Sequence, residues 1–214
     1  MASSAQAKQF IQKIAPIIQE EAKKRGYKVC SPIIAQACVE SAFGTSSLGY
    51  KFHNYFGMKC GSAWKGKSVN MKTKEEYTPG TLTSIRDNFR VYDSMEEGVK
   101  GYFDFINTKR YANLKTAVTA EMYLALIKSD GYATSSSYVN TNMNCIKKYD
   151  LQKWDNDKPV ETSNPSDTMS IDKIAREVIA GKWGNGAERK QRLRAEGYNP
   201  AMIQARVNEM LKGK

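Results

Sequence analysis

One carboxylate stands alone in this chain. Glu40 is the sole charged residue between Lys28 and Lys51, inside the small and apolar stretch AQACVESAFGTSSLG. Apolar surroundings and the negative end of a helix both disfavour an ionised carboxyl, so both raise its pKa. A carboxyl that keeps its proton near neutral pH is what acid-assisted cleavage of a glycosidic bond requires. That chemistry usually takes a second carboxylate on the far side of the sugar, and Glu75 and Glu76 are candidates. Strand alternation puts those two on opposite faces, so only one could look into a cleft, and spacing does not choose between them. The plain alternative is a solvated glutamate on a helix surface; the uncharged flanks weigh against it. Sugar rings also present apolar C–H faces that pack on aromatic planes. Phe56, Tyr111, Tyr132 and Tyr138 fall in expected loops or at helix edges and are the substrate-contact candidates, although for any single one a core role is the commoner outcome. His53, the single histidine, has no partner pattern and reads as structural or solvated.

The elements that must position these groups follow from pattern. Phe10, Ile11, Ile14, Ile17 and Ile18 recur at helical spacing, with Pro16 expected to kink or split the helix and Gly26 to end it. Ser31-Pro32 supplies an N-cap and a first-turn proline for a second helix that carries Glu40 near its C-terminus and stops at Phe43-Gly44. Val69 to Tyr77 and Leu82 to Tyr92 alternate around Thr78-Pro79-Gly80-Thr81, which has the Pro-Gly order of a type II turn: a β-hairpin. Ser94-Met95-Glu96-Glu97 is a capping-box pattern opening a helix through Ile106. Further helices are expected over Ala120 to Lys128 and Ser137 to Tyr149.

Composition then changes. Asp155 to Ser170 is acidic, contains proline and serine, and lacks large apolar groups apart from a methionine: a linker. The expected organisation is a catalytic domain over 1–154, a linker over 155–169 and a small three-helix unit over 170–214. That last unit has little core and suits binding rather than chemistry. The net charge of +11 implies anionic surroundings. Its basic residues are scattered and no nucleic-acid motif stands out, which favours an extended anionic surface such as a cell wall over nucleic acid. No apolar run is long enough to insert in a membrane. The N-terminus lacks the pattern of a secretory signal, so synthesis in the cytoplasm is expected. Cys30, Cys38, Cys60 and Cys145 show no CxxC pairing, so free buried thiols are expected, with no metal and no cofactor.

Taken together, AQACVESAFGTSSLG, Asn54-Tyr55-Phe56-Gly57-Met58-Lys59, Glu76-Tyr77-Thr78-Pro79-Gly80, Phe89-Arg90-Val91-Tyr92-Asp93-Ser94 and Gly131-Tyr132-Ala133-Thr134 with Tyr138 resemble, in order, the motifs of glycoside hydrolase family 73. These are N-acetylglucosaminidases of peptidoglycan. The resemblance covers roughly Ala7 to Leu151. It implies an α+β, mainly α, lysozyme-like fold with a β-hairpin, Glu40 as general acid, Glu76 as second carboxylate and Tyr132 as a substrate-site residue. Ser135 stands where the family often has aspartate. IAREVIAGKWGNGAERKQRL, with EGYNP and IQARVNEML, resembles the CW-seven wall-binding repeat of phage lysins, a binder of peptidoglycan fragments; Trp183, Asn185 and Arg189 are the expected contacts. The combined expectation is an endolysin that cuts the β-1,4 bond after N-acetylglucosamine. Rival readings are a muramidase or lytic transglycosylase on the same scaffold, and a wall-binding protein without catalysis. Inversion and substrate assistance both remain open, as does the oligomeric state.

Overall fold

In a computed structural model of the chain, residues 2–78, 81–155, 165–196, 198 and 200–212 are described. Side chains are described for all of these except 74–78, 81–82, 165–170, 194–195, 201–202, 205, 209 and 212. The chain divides into two compact units, Met1–Asp157 and Lys158–Lys214.

The first unit opens with α1 (Ser4–Arg25), which buries Phe10, Ile11, Ile14 and Ile18 along one face. Its N-terminus is closed reciprocally: Ser3 Oγ accepts from the Gln6 N–H at 3.2 Å, and Gln6 Oε1 accepts from the Ser3 N–H at 2.8 Å. The helix is not split at Pro16 and runs on to Arg25, with Gly26 as its C-cap. Pro16 and Gln12, whose carbonyl loses its donor, both lie on the exposed side, where a carbonyl open to solvent makes the missing bond cheap. α2 (Ser31–Glu40) is buried from Ser31 to Cys38. Ser31 is not its N-cap as expected; it is the first helical residue, and no side chain at Cys30 caps the helix. Asp155 does so from the far end of the unit. Its Oδ1 accepts from the N–H groups of Cys30 and Ser31, both at 2.7 Å, and its Oδ2 accepts from Ser31 Oγ at 3.0 Å. Asp155 is thus a structural part of the first unit rather than the start of a linker.

After α3 (Ser47–Phe52), strands β1 (Ser68–Thr78) and β2 (Thr81–Arg90) form the antiparallel hairpin. The register runs from Ser68↔Arg90 to Thr78↔Thr81, with an irregularity between Glu76 and Thr78. The Pro79-Gly80 turn lies outside the described residues. α4 (Met95–Ile106) starts at Ser94, whose Oγ accepts from the Glu97 N–H at 3.2 Å. The return bond reaches one residue further back than a capping box requires: Glu97 Oε2 accepts from the Asp93 N–H at 3.0 Å. A 3-10 segment (Lys109–Thr116), α5 (Ala120–Ser129), α6 (Tyr138–Tyr149) and a short 3-10 turn (Leu151–Trp154) complete the unit. Helices α1, α2, α4, α5 and α6 enclose a core in which Ile14, Ile18, Ile33, Ile34, Tyr102, Phe103, Tyr123 and Ile127 are fully buried.

The second unit comprises α7 (Pro165–Ile179), α8 (Gly186–Ala195) and α9 (Pro200–Lys212). Ile174, Ala175, Val178, Leu193, Ile203 and Val207 form its core. A two-pronged ion pair, Arg206 Nε to Asp172 Oδ1 at 2.6 Å and Nη2 to Oδ2 at 3.0 Å, ties α9 to α7. Helix α7 begins at Pro165, inside the stretch expected to be linker. None of the four cysteines forms a disulfide; Cys30, Cys38 and Cys145 are buried, whereas Cys60 is only half-buried. Among the described residues no helix is long and apolar enough to cross a membrane.

Candidate active site

Glu40 is the last residue of α2. The chain turns sharply behind it, with Ala42, Phe43 and Gly44 at φ of 50°, 58° and 75°. Left-handed backbone at a residue with a side chain costs about 1–2 kcal/mol, so two in succession need support. Ser41 gives it: its Oγ donates to the Ala37 carbonyl at 2.6 Å and accepts from the Gly44 N–H at 2.7 Å. The Phe43 N–H donates to the Cys38 carbonyl at 2.7 Å and the Ser46 N–H to the Ser41 carbonyl at 2.9 Å. Gly44 is required for a second reason. A Cβ there would lie 2.6 Å from the Phe10 ring. Ser46 then accepts from the Gly49 N–H at 3.0 Å and caps α3. The glutamate-serine motif is therefore a device that ends α2 abruptly at its acid.

The loop after α3 brings backbone up to the acid. Asn54 Nδ2 donates to the carbonyls of Met58 and Arg90, both at 2.9 Å, and its Oδ1 accepts from the Met58 N–H at 2.8 Å. One buried amide thus closes the 54–58 turn and ties it to the base of the hairpin. Arg90 N–H to the Met58 carbonyl (2.9 Å) and Cys60 N–H to the Asn88 carbonyl (2.8 Å) extend the seam. At the turn, Gly57 has a φ of 65°, and a Cβ there would lie 4.0 Å from Glu40 Oε2.

The Glu40 side chain is exposed rather than sheltered on every side as its sequence context implied. Enough protein still surrounds the carboxyl to withhold much of its hydration, and this burial pushes its pKa from 4.5 up to about 7. The carboxyl is therefore open to water and still partly stripped of its hydration. Two phenols feel its charge: burial first, and then among other charges that of Glu40, hold Tyr132 and Tyr138 above the usual tyrosine range. Tyr132 Oη donates to the Phe56 carbonyl at 3.0 Å, bracing the residue before Gly57. Tyr138 Oη accepts from Gln36 Nε2 at 2.6 Å.

Sequence reasoning passed over Gln36, which is fully buried one helical turn before Glu40. Its signal was a lone amide in an otherwise apolar helix. Phe56 and Tyr111 are corrections. The Phe56 ring is 3% exposed and stacks on Tyr102 with centroids 4.0 Å apart. Tyr111 is 2% exposed and packs on Phe105 at 5.1 Å. Neither ring offers a free face to a sugar, because the aromatic core already covers both. Glu75 and Glu76 stand on β1 opposite Thr83 and Leu82; their side chains lie outside the described residues. Among the described residues no histidine, cysteine or carboxylate cluster could hold a metal.

In the second unit, Gly181, Gly184 and Gly186 at φ of 77°, 71° and 58° shape the turn between α7 and α8. Trp183 packs edge-on to Tyr198 at 5.8 Å and donates from Nε1 to Glu177 Oε2 at 3.0 Å. With Glu177, Lys182, Arg192 and Glu196 it lines a hollow of mixed charge. Asn185 is exposed and Arg189 half-buried, and neither lines that hollow.

These features agree with known proteins. Residues 15–151 match the family described as mannosyl-glycoprotein endo-beta-N-acetylglucosaminidase, and residues 172–211 match the CW_7 repeat. Peptidoglycan hydrolase FlgJ of Salmonella typhimurium is 33% identical over 121 residues, 54% of this chain and 38% of that protein. Exo-glucosaminidase LytG of Bacillus subtilis is 32% identical over 132 residues, 59% of this chain and 46% of its own. The chain therefore spans less than half the length of either relative. The catalytic domain of the autolysin Auto from Listeria monocytogenes superposes with a TM-score of 0.60 at 27% identity, covering 72% of this chain and 90% of that one. Sequence and hairpin-and-helix architecture converge: the chain belongs to the glucosaminidase family, in its lysozyme-like α+β form, and carries a CW_7 repeat as its second unit.

Proposed function

We propose that this protein is a peptidoglycan hydrolase that cleaves the β-1,4 bond after N-acetylglucosamine within glycan strands, with Glu40 as general acid. The observation that carries the reading is the Glu40 carboxyl, protonated to about pH 7 by burial yet reached by water, at the abrupt end of α2. The names of its relatives, peptidoglycan hydrolase and exo-glucosaminidase, support the substrate. Glu40 gives its proton to the glycosidic oxygen as the C–O bond breaks, and the sugar gains oxocarbenium character. Water completes the reaction by one of two routes. Glu76 activates it as a base if the two carboxyls stand roughly 6.5–9.5 Å apart. At longer separation the substrate's own acetamido group assists, and Glu76 acts through its charge. Tyr132 and Tyr138, on which the Glu40 charge acts, are assigned to sugar contact. The second unit holds the enzyme to the wall, with the Trp183 hollow as contact surface and Asn185 and Arg189 as further contacts outside it. A lysin acting on the wall after release from the cell fits this pairing of a hydrolase with a wall-binding repeat.

The test is mass spectrometry of digested wall. New reducing-end N-acetylglucosamine is expected. Reducing-end muramic acid, or its anhydro form, overturns the assignment in favour of a muramidase or transglycosylase.

A further inference from the structure

The Gln36 amide is the hub of a buried hydrogen-bond chain that joins four helices. The Tyr123 hydroxyl on α5 lies 2.9 Å from that of Tyr102 on α4. Tyr102 Oη donates to Gln36 Oε1 at 2.9 Å, and Gln36 Nε2 donates to Tyr138 Oη on α6 at 2.6 Å. Gln36, Tyr102 and Tyr123 have no solvent exposure, whereas Tyr138 keeps 6%.

Each hydroxyl has one proton to give. In this orientation Tyr123 gives to Tyr102, Tyr102 gives to the amide oxygen, and the amide N–H gives to Tyr138. Every hydroxyl proton in the sealed part of the chain has an acceptor, and the Tyr138 proton is left over. Turning the amide over reverses every bond and leaves over the Tyr123 proton, where an unmet buried donor is costly. Burial therefore sets the direction of the chain. Its open end is the phenol on which the charge of Glu40 acts.

We propose that Gln36, held in place by Tyr102, is a positioning residue: it keeps Tyr138 as a hydrogen-bond donor whose proton faces the Glu40 site and meets an acceptor oxygen of the bound sugar. This rests on the glycosidase reading above. An amide suits the position because it donates on one side and accepts on the other. A carboxylate would accept from both tyrosines and turn the Tyr138 proton inward.

The test is steady-state kinetics of the full chain on purified wall glycan. Tyr138→Phe and Tyr102→Phe are each expected to lower kcat roughly three- to tenfold, the worth of one neutral hydrogen bond. The double variant should fall no further than Tyr138→Phe alone, because both act through one proton. Losses that multiply in the double variant, or an unchanged kcat in Tyr138→Phe, overturn the proposal. A second measurement compares kcat of Gln36→Glu and Gln36→Met at about pH 5. Burial keeps the new acid protonated, so it still accepts from Tyr102 and donates to Tyr138, and Gln36→Glu should retain near-normal kcat while Gln36→Met loses roughly three- to tenfold. Equal losses in the two variants overturn the proposal. Glu40→Gln separates the two levels of inference. If it abolishes cleavage while Tyr138→Phe does not change it, only the positioning proposal falls; if it leaves cleavage intact, the glycosidase reading falls.

Discussion

Replacing Glu40 with glutamine should disable the enzyme and also change how its stability responds to pH. The folded carboxyl keeps its proton to about pH 7, against 4.5 ordinarily. Between those values the folded state binds more protons than the unfolded chain, so stability falls as pH rises through the window and levels off above it. For a group withdrawn from water, that difference is worth on the order of 3 kcal/mol. Water reaches Glu40, and screening reduces the figure to about 1 kcal/mol. The Glu40→Gln variant has no such titration. Urea unfolding at pH 4.5 and pH 8 should show the unmodified protein losing about 1 kcal/mol more than the variant over that interval. Cleavage by the variant should drop by about 10²–10⁴-fold with the fold intact by circular dichroism. In the unmodified enzyme, the same protonation predicts activity that declines above about pH 7. Parallel stability profiles for the two proteins would refute the claim that the fold raises this carboxyl. Undiminished clearing of wall suspensions by the variant would refute its role as acid.

Other perturbations test the scaffold. Asp155→Ala removes three hydrogen bonds at the start of α2 and should cost about 1–2 kcal/mol, a melting-temperature drop of roughly 3–6 °C by calorimetry. Gly44→Ala adds a Cβ 2.6 Å from the Phe10 ring at a φ of 75° and should cost about 2–4 kcal/mol in urea unfolding, more than any exposed glycine-to-alanine change in the same unit. Removing residues 158–214 should weaken wall pull-down more than it slows cleavage of soluble fragments; equal losses would argue against a separate targeting unit. Trp183→Ala should reproduce the binding loss if its ring contacts the wall, and circular dichroism will separate that from loss of its packing on Tyr198.

What could be read ahead of the structure was local. The lone charge at Glu40, the alternating residues around Pro79-Gly80 and the Ser94 cap all declare themselves within a few neighbours. Asp155 did not, because its partners are Cys30 and Ser31, more than a hundred residues away, while its own neighbours have linker composition. Pro16 does not split α1, because a proline's effect depends on which side of the helix loses the bond, and that side here is exposed. Phe56 and Tyr111 were chosen as aromatic rings in expected loops. Ring type cannot separate a sugar platform from a core residue, and the stack on Tyr102 decides it for Phe56. Gln36 was visible but unread: a buried amide in an apolar helix needs partners, and only the fold shows that they are tyrosines from two other helices.

Asp155 also has a practical meaning for anyone recombining such enzymes. A chimera in which another anchoring module replaces the tail must be spliced downstream of that aspartate. A junction drawn at Trp154, where composition invites the cut, would strip the lock from the helix bearing the acid, and the graft would be blamed for a fault made at the seam.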